Sequence, residues 1–257
     1  MSERADNFTA IRATYRLQFH RQFTFRDATD LVPYLAALGV SHIYASPIME
    51  ARPGSTHGYD IIDHNRLNPE IGTEADFRTL VDALHAHGMG LMLDFVPNHM
   101  GVGSDNVWWL DVLEWGQESP FGSYFDINWD AVRPDLKGRV LLPVLGDHYG
   151  MILEKGEIAL RLDREEGSFS AWYYEHRFPI SPRSYAVILG AGGEPLAGFA
   201  REFAPLAERR AGSVRERAAE LKQWLAERAR EPAFARAVET ALKQFEGEPG
   251  NPASFEP

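Results

Sequence analysis

The sequence predicts an α/β fold whose first hundred residues build a parallel sheet. Strand-like and helix-like periodicities alternate there with short connections. The segment GLMLDFV, residues 90–96, is nearly continuous in apolar residues, as in strands covered on both faces. Helix starts and stops are marked by Thr followed three residues later by Asp, and by Gly at the ends. Strand, helix, strand, helix, strand in this order gives a right-handed parallel arrangement. Periodicity alone leaves an open doubly wound sheet and a closed barrel equally available.

The first strand is read over residues 13–19. A helix follows, opened by Thr24 and Asp27, striped by Leu31, Leu35 and Leu38, and closed by Gly39. Residues 40–45 form the second strand. After a loop rich in Pro, Gly and His, a second helix begins at Thr73 with Asp76 three residues on. Its inner face is Phe77, Leu80, Val81 and Leu84, and Gly88 sits where a left-handed cap is wanted. Residues 90–96 are the third strand. Residues 101–182 break the rhythm, being rich in aromatic residues, Gly and Pro, and they contain a hairpin in which Ile158, Leu160 and Leu162 alternate, DREEGS turns, and Phe169, Ala171 and Tyr173 alternate again.

From residue 183 the character is helical. Ser213 with Glu216 has capping-box spacing ahead of Val214, Ala218, Leu221 and Leu225, and a last helix runs from Pro232 through Phe234, Val238, Ala241 and Phe245 to Gly247. The division expected is residues 1–100, 101–182 as an inserted subdomain, and 183–257 as a helical segment.

Composition excludes several functions. With 26 Lys plus Arg against 37 Asp plus Glu, the net charge is −11, which disfavours phosphate backbones and anionic lipid. Neither nucleic acid nor membrane is an expected partner. There is no Cys, so a disulfide scaffold, a thiolate zinc site and a thiol nucleophile are all ruled out. The charged N-terminus MSERADNFTA lacks the apolar run of a secretory signal, so a cytoplasmic protein is expected. Residues 196–257 hold ten basic and ten acidic residues, so the whole acid excess lies in residues 1–195. Carboxylates, imidazoles and flat rings together suit a polyhydroxylated ligand; on composition alone an ordinary acidic surface is the preferred explanation.

Two segments concentrate chemistry. Asp94-Phe95-Val96-Pro97-Asn98-His99 places three polar groups where a strand emerges at the carboxyl end of a parallel sheet. Either they build a site, or Asp94 satisfies backbone or an Arg while Asn98 and His99 shape the turn. His57-Gly58-Tyr59-Asp60, followed by Asp63 and His64, could floor a sugar subsite, with the ring for the apolar face and the carboxylate for hydroxyls. A metal held by His57, Asp60, Asp63 and His64 and a polar surface loop are the alternatives, and no standard zinc spacing is present. Trp108, Trp109 and Trp115 either line an aromatic platform or bury one helix face, with core the reading for at least two. Gly190-Ala191-Gly192-Gly193 lacks the third glycine of a dinucleotide loop and reads as a turn.

At these motifs the sequence resembles a known group. DFVPNH and HGYD with the downstream IGTEADF are similar to conserved segments of the α-amylase superfamily of (β/α)8-barrel glycosidases. TYRLQF, SPIMEARPGSTHGYDIIDHNRLNPEIG and NVWWLDVLEWGQESPFGSYFDINW resemble, more narrowly, the maltooligosyltrehalose synthase family. The resemblance implies an α/β fold of (β/α)8 TIM-barrel type, represented by its N-terminal part of about three strands with an insertion after the third and C-terminal helices.

It also implies rearrangement of the reducing-end α-1,4 bond of a maltooligosaccharide into an α,α-1,1 bond. Neither cofactor nor metal is implied. By the same resemblance Tyr59 stacks beneath the sugar of the −1 subsite, His57 and Asp60 are its polar neighbours, and His99 bonds the primary hydroxyl. Asn98 matches a position that ligates calcium in many α-amylases, and is carried over as a substrate-side residue only. Asp94 matches the aspartate that orients an arginine near the nucleophile. The nucleophile and acid/base of the family lie on later strands. No G-x-R-x-D pattern occurs in these 257 residues, so those groups are expected beyond Pro257 and the chain alone is expected to be inactive.

Overall fold

The structure, a computed structural model, describes residues 10–208 and 214–255. The Ser213 cap lies outside them. The chain divides into two compact units, Met1–Asn106 and Val107–Pro257.

The first unit is built on three parallel strands, β1 (Thr14–Leu17), β2 (His42–Ala45) and β5 (Gly90–Leu93), in the order β1-β2-β5. Their register is level: Thr14 pairs with His42 and His42 with Gly90, while Leu17 pairs with Ala45 and Ala45 with Leu93. All three carboxyl ends therefore reach the same edge. Between them run α1 (Phe25–Ala37) and α2 (Glu74–Ala86), with an antiparallel pair β3 (Met49–Ala51) and β4 (Ile61–Leu67) where the sequence suggests only a loop.

Both helix starts are fixed by their Thr and Asp. Asp27 Oδ2 accepts from the Thr24 N–H at 2.8 Å and the Thr24 hydroxyl at 2.6 Å. Thr73 Oγ accepts from the Asp76 N–H at 3.2 Å, and Asp76 Oδ2 accepts from the Thr73 N–H at 2.9 Å. Gly39 and Gly88 carry φ of 88° and 65°, the left-handed conformation a helix exit needs. The core joins Leu17, Phe25, Val32, Leu35, Ile43, Leu80 and Leu84, each buried aliphatic or aromatic side chain contributing about 1.5–3 kcal/mol.

The structure departs from the sequence expectations at several points in this unit. The buried stripe of α1 is Phe25, Ala28, Val32 and Leu35, and Leu38, beyond the helix, is exposed. In α2 only Leu80 and Leu84 are fully buried. The second strand begins at His42, because the Val40 N–H bonds Leu35 O and so still closes the preceding helix. The third strand ends at Leu93, and its side chains are half-buried or exposed, because β5 is the outer strand of the sheet. One further bond, Asp94 N–H to Ala45 O at 2.9 Å, extends the ladder before Pro97 removes a donor.

The second unit holds α3 (Val107–Trp115), α4 (Tyr149–Glu154), an antiparallel sheet of β6 (Ile158–Asp163), β7 (Ser168–Tyr173) and β8 (His176–Pro179), then α5 (Tyr185–Gly190), α6 (Glu194–Phe203), α7 (Val214–Ala229) and α8 (Pro232–Lys243). The hairpin turns where the sequence predicts, with Asp163 Oδ1 accepting from the Glu165 and Glu166 N–H groups; β8 is an addition. Val214, Ala218, Leu221 and Leu225 are buried together with Phe169, Tyr185, Phe199, Phe234 and Val238 in one core. Helix α8 stops at Lys243, leaving Phe245 exposed. Trp109 is buried and Trp115 packs on that core, while Trp108 stacks on Phe121 at 5.3 Å and 9°. Gly190 ends α5, and residues 191–193 form the turn into α6. Among the described residues no helix is long and apolar enough to cross a membrane.

Candidate functional site

The carboxyl edge of the parallel sheet carries a polar cluster assembled from all three strands. Arg16 of β1 and Tyr44 of β2 are register partners, and Tyr44 is level with Met92 of β5. Period-two alternation puts Asp94 on the same face as Met92. Asp94 Oδ2 accepts from the Tyr44 hydroxyl at 3.0 Å, from Arg16 Nη1 at 3.2 Å, and from the Tyr59 hydroxyl. Arg16 Nη2 donates to the Tyr59 hydroxyl oxygen at 3.0 Å, and the guanidinium lies 4.7 Å from the centre of the Tyr44 ring.

This convergence has an electrostatic consequence. The Tyr59 hydroxyl bond, with the Tyr44 and Arg16 bonds after it, holds the Asp94 carboxyl below its ordinary range against partial desolvation, which acts the other way. The same bond raises the Tyr59 phenol. Asp94 is therefore a fixed anion that orients its neighbours, and is poorly suited to carry a proton.

Tyr59 comes from a turn that is itself braced. Gln18, two residues past Arg16, donates its carboxamide to Thr56 O at 3.2 Å and His57 O at 3.1 Å. Ser55 donates to Asp60 Oδ1 at 2.5 Å and accepts from the Gly58 N–H at 3.1 Å. The Tyr59 N–H donates to His57 Nδ1 at 3.0 Å, and the two rings are stacked at 6.1 Å and 25°. His57 Nδ1 lies 3.8 Å from Asp60 Oδ1. Only glycine fits at position 58, where φ is +74° and an added Cβ would sit 2.7 Å from Pro47 O.

Of the residues singled out in the sequence, the fold brings Tyr59 onto Asp94 and keeps His57, Tyr59 and Asp60 on one turn. Asn98 lies in the next turn with His99 directly after it, both exposed, and neither hydrogen-bonds to the cluster. The four-residue metal alternative does not converge: Asp63 accepts from the Asn65 N–H at 2.8 Å, and His64 lies edge-on to Phe95 at 5.9 Å. Among the described residues no three such side chains gather to hold a metal. Sequence reading passed over Arg16, Gln18 and Tyr44. The signal was available in TYRLQF, where Arg16 and Gln18 alternate onto one face at a strand's carboxyl end.

Residues 24–143 match the Alpha-amylase family, described as “Alpha amylase, catalytic domain”. Over that stretch the chain is similar to the α-amylase family. The chain is 42% identical over 163 residues, 58% of its own length, to a putative maltooligosyl trehalose synthase of Mycobacterium tuberculosis, of which it covers 21%. A solved maltooligosyltrehalose synthase from Arthrobacter ramosus shares 44% identity with a TM-score of 0.57, over 66% of this chain and 21% of that one. A further crystal structure of a maltooligosyl trehalose synthase gives 40% identity and a TM-score of 0.61, over 66% and 22%. The chain spans about a fifth of the length of these relatives. Three parallel strands alternating with helices match part of a (β/α) barrel, and the cluster on Asp94 stands at the carboxyl edge, where such barrels place their chemistry.

Proposed function

We propose that this chain is the N-terminal portion of a cytoplasmic enzyme that rearranges the reducing-end α-1,4 bond of a maltooligosaccharide into an α,α-1,1 bond, and that it contributes the grip on one glucose ring. The observation that carries this reading is the fixed Tyr59: its hydroxyl is held by Asp94 and Arg16, so its ring is set before substrate arrives. A ring fixed this way offers an apolar face to the C–H side of a glucose, with His57 and Asp60 beside it for hydroxyls. His99 and Asn98, exposed past the same strand, would meet the sugar from the other side of the cleft.

The bond chemistry belongs to carboxyl groups that these 257 residues do not match. One carboxylate attacks the anomeric carbon while a carboxylic acid protonates the departing oxygen, leaving a glucosyl ester. The released glucose then gives its anomeric hydroxyl to that carbon, its proton passes to the carboxylate left by the acid, and the ester breaks. Water in its place gives hydrolysis.

The test is incubation of the complete protein with maltopentaose. A non-reducing product supports rearrangement. Glucose and maltose as main products reject it in favour of a hydrolase, and binding without turnover in favour of a glucan-binding module. The 257-residue chain alone is expected to turn over nothing, and any rearrangement by it refutes the assignment of roles.

A further inference from the structure

A cavity of about 500 Å³ opens beside the His57–Asp60 turn, and its wall includes Arg52, Ser55, Asp60 and Asp105. Arg52 is built into that wall from several sides. Its N–H donates to Asp60 O at 3.1 Å, its carbonyl accepts from the Ser55 N–H at 3.0 Å, and its Nε donates to Asp105 Oδ2 at 3.2 Å. Two glycines make room for its side chain. A Cβ at Gly101 would lie 3.2 Å from Arg52 Cγ and Cδ, and one at Gly103 would lie 3.1 Å from Arg52 Cζ and 2.7 Å from Asp105 Oδ1. The segment 101–105 is shaped around this arginine.

Stability does not account for the arrangement. The Arg52 side chain is 42% exposed, and an ion pair so placed adds little. Fixing a long flexible side chain opposes folding. What the fixing achieves is orientation: with Nε spent on Asp105, the two terminal amino groups stay in one plane with no hydrogen bond among the described residues. One cation against Asp60 and Asp105 leaves no positive excess for an anion. Planar N–H donors among carboxylate and hydroxyl oxygens suit the neighbouring hydroxyls of an uncharged sugar.

We propose that Arg52 is a specificity-determining residue that holds the glucose unit next to the one on Tyr59 and retains it after the bond between them is cut. This rests on the function proposed above. Retention decides the outcome, because rearrangement and hydrolysis share every step up to the glucosyl ester and differ only in whether the held glucose or water takes the anomeric carbon.

Arg52→Ala and Arg52→Gln, made in the complete protein, are compared with wild type on maltopentaose by the ratio of non-reducing product to free glucose. At saturating maltopentaose the ratio is expected to fall about tenfold in both, the loss of one charge-assisted contact, and total cleavage is expected to fall by less than the ratio, because the same contact also holds the intact substrate. Arg52→Lys, keeping charge without the planar fork, is expected to fall between. A purely structural Arg52 lowers both products together and leaves the ratio unchanged, which overturns the inference while a rearranging wild type leaves the function standing. A wild type that only hydrolyses overturns both.

Discussion

Replacing Tyr59 with Phe deletes one oxygen and keeps the ring, so it isolates the bond that fixes the aromatic platform. Asp94 loses the donor that most depresses its carboxyl, and Arg16 loses an acceptor. Hydrogen bonds to charged groups contribute about 1.5–3 kcal/mol when shielded. The Asp94 side chain is 14% exposed and qualifies; Arg16 at 37% is screened and adds little. Tyr44 and Arg16 continue to pair the carboxylate. The expected destabilisation of the first unit is therefore about 1.5–2 kcal/mol at pH 7, read from hydrogen exchange of the β2 and β5 amides.

The pH dependence follows from linkage. A carboxyl whose folded pKa is depressed stabilises the fold fully above its unfolded value, near 3.8, and that contribution disappears as pH falls through the lower folded value. The gap between wild type and Tyr59→Phe should accordingly be widest at neutral pH and close once Asp94 is protonated in both. A gap under about 0.5 kcal/mol at pH 7, or one that persists unchanged into strong acid, would refute the assignment of Asp94 as the anion that holds Tyr59.

In the complete protein, His99→Ala is expected to lower turnover with little change in thermal midpoint, because His99 is exposed and outside the cluster. Asp94→Ala should lower both by stranding Arg16 and two phenols; equal midpoints for the two variants contradict this division. Gly58→Ala combines positive φ with a clash at Pro47 O and should cost about 2 kcal/mol or more in urea unfolding. A loss below about 0.5 kcal/mol shows that the turn relaxes. The outer edge of β5 is unpaired among the described residues, with Leu93 and Phe95 exposed beside it, so the 257-residue chain should associate with rising concentration, and Phe95→Lys should reduce this in sedimentation. A monomeric chain that unfolds sharply sinks that expectation.

Features that depend on near neighbours along the chain are legible without the fold. Thr24 with Asp27 and Thr73 with Asp76 mark helix starts because the capping bonds are local, and Gly39 and Gly88 mark the ends because a left-handed residue is needed there. The turn of β6 into β7 follows from alternation and DREEG for the same reason. Motif resemblance went further and named the turn bearing Tyr59 and the strand exit bearing Asp94.

The three-dimensional fold decided which distant groups meet. Arg16, Tyr44, Tyr59 and Asp94 come from as far as 78 positions apart, and it takes the level register of three parallel strands together with the braced turn bearing Tyr59 to bring the three donors onto one carboxylate oxygen. The half-exposure of β5 was equally out of reach, because an apolar run records what a strand can bury, whereas its place in the sheet sets what it does bury. Hydrogen bonds between residues far apart leave no periodic trace, so a polar cluster of this kind stays invisible until the backbone is folded.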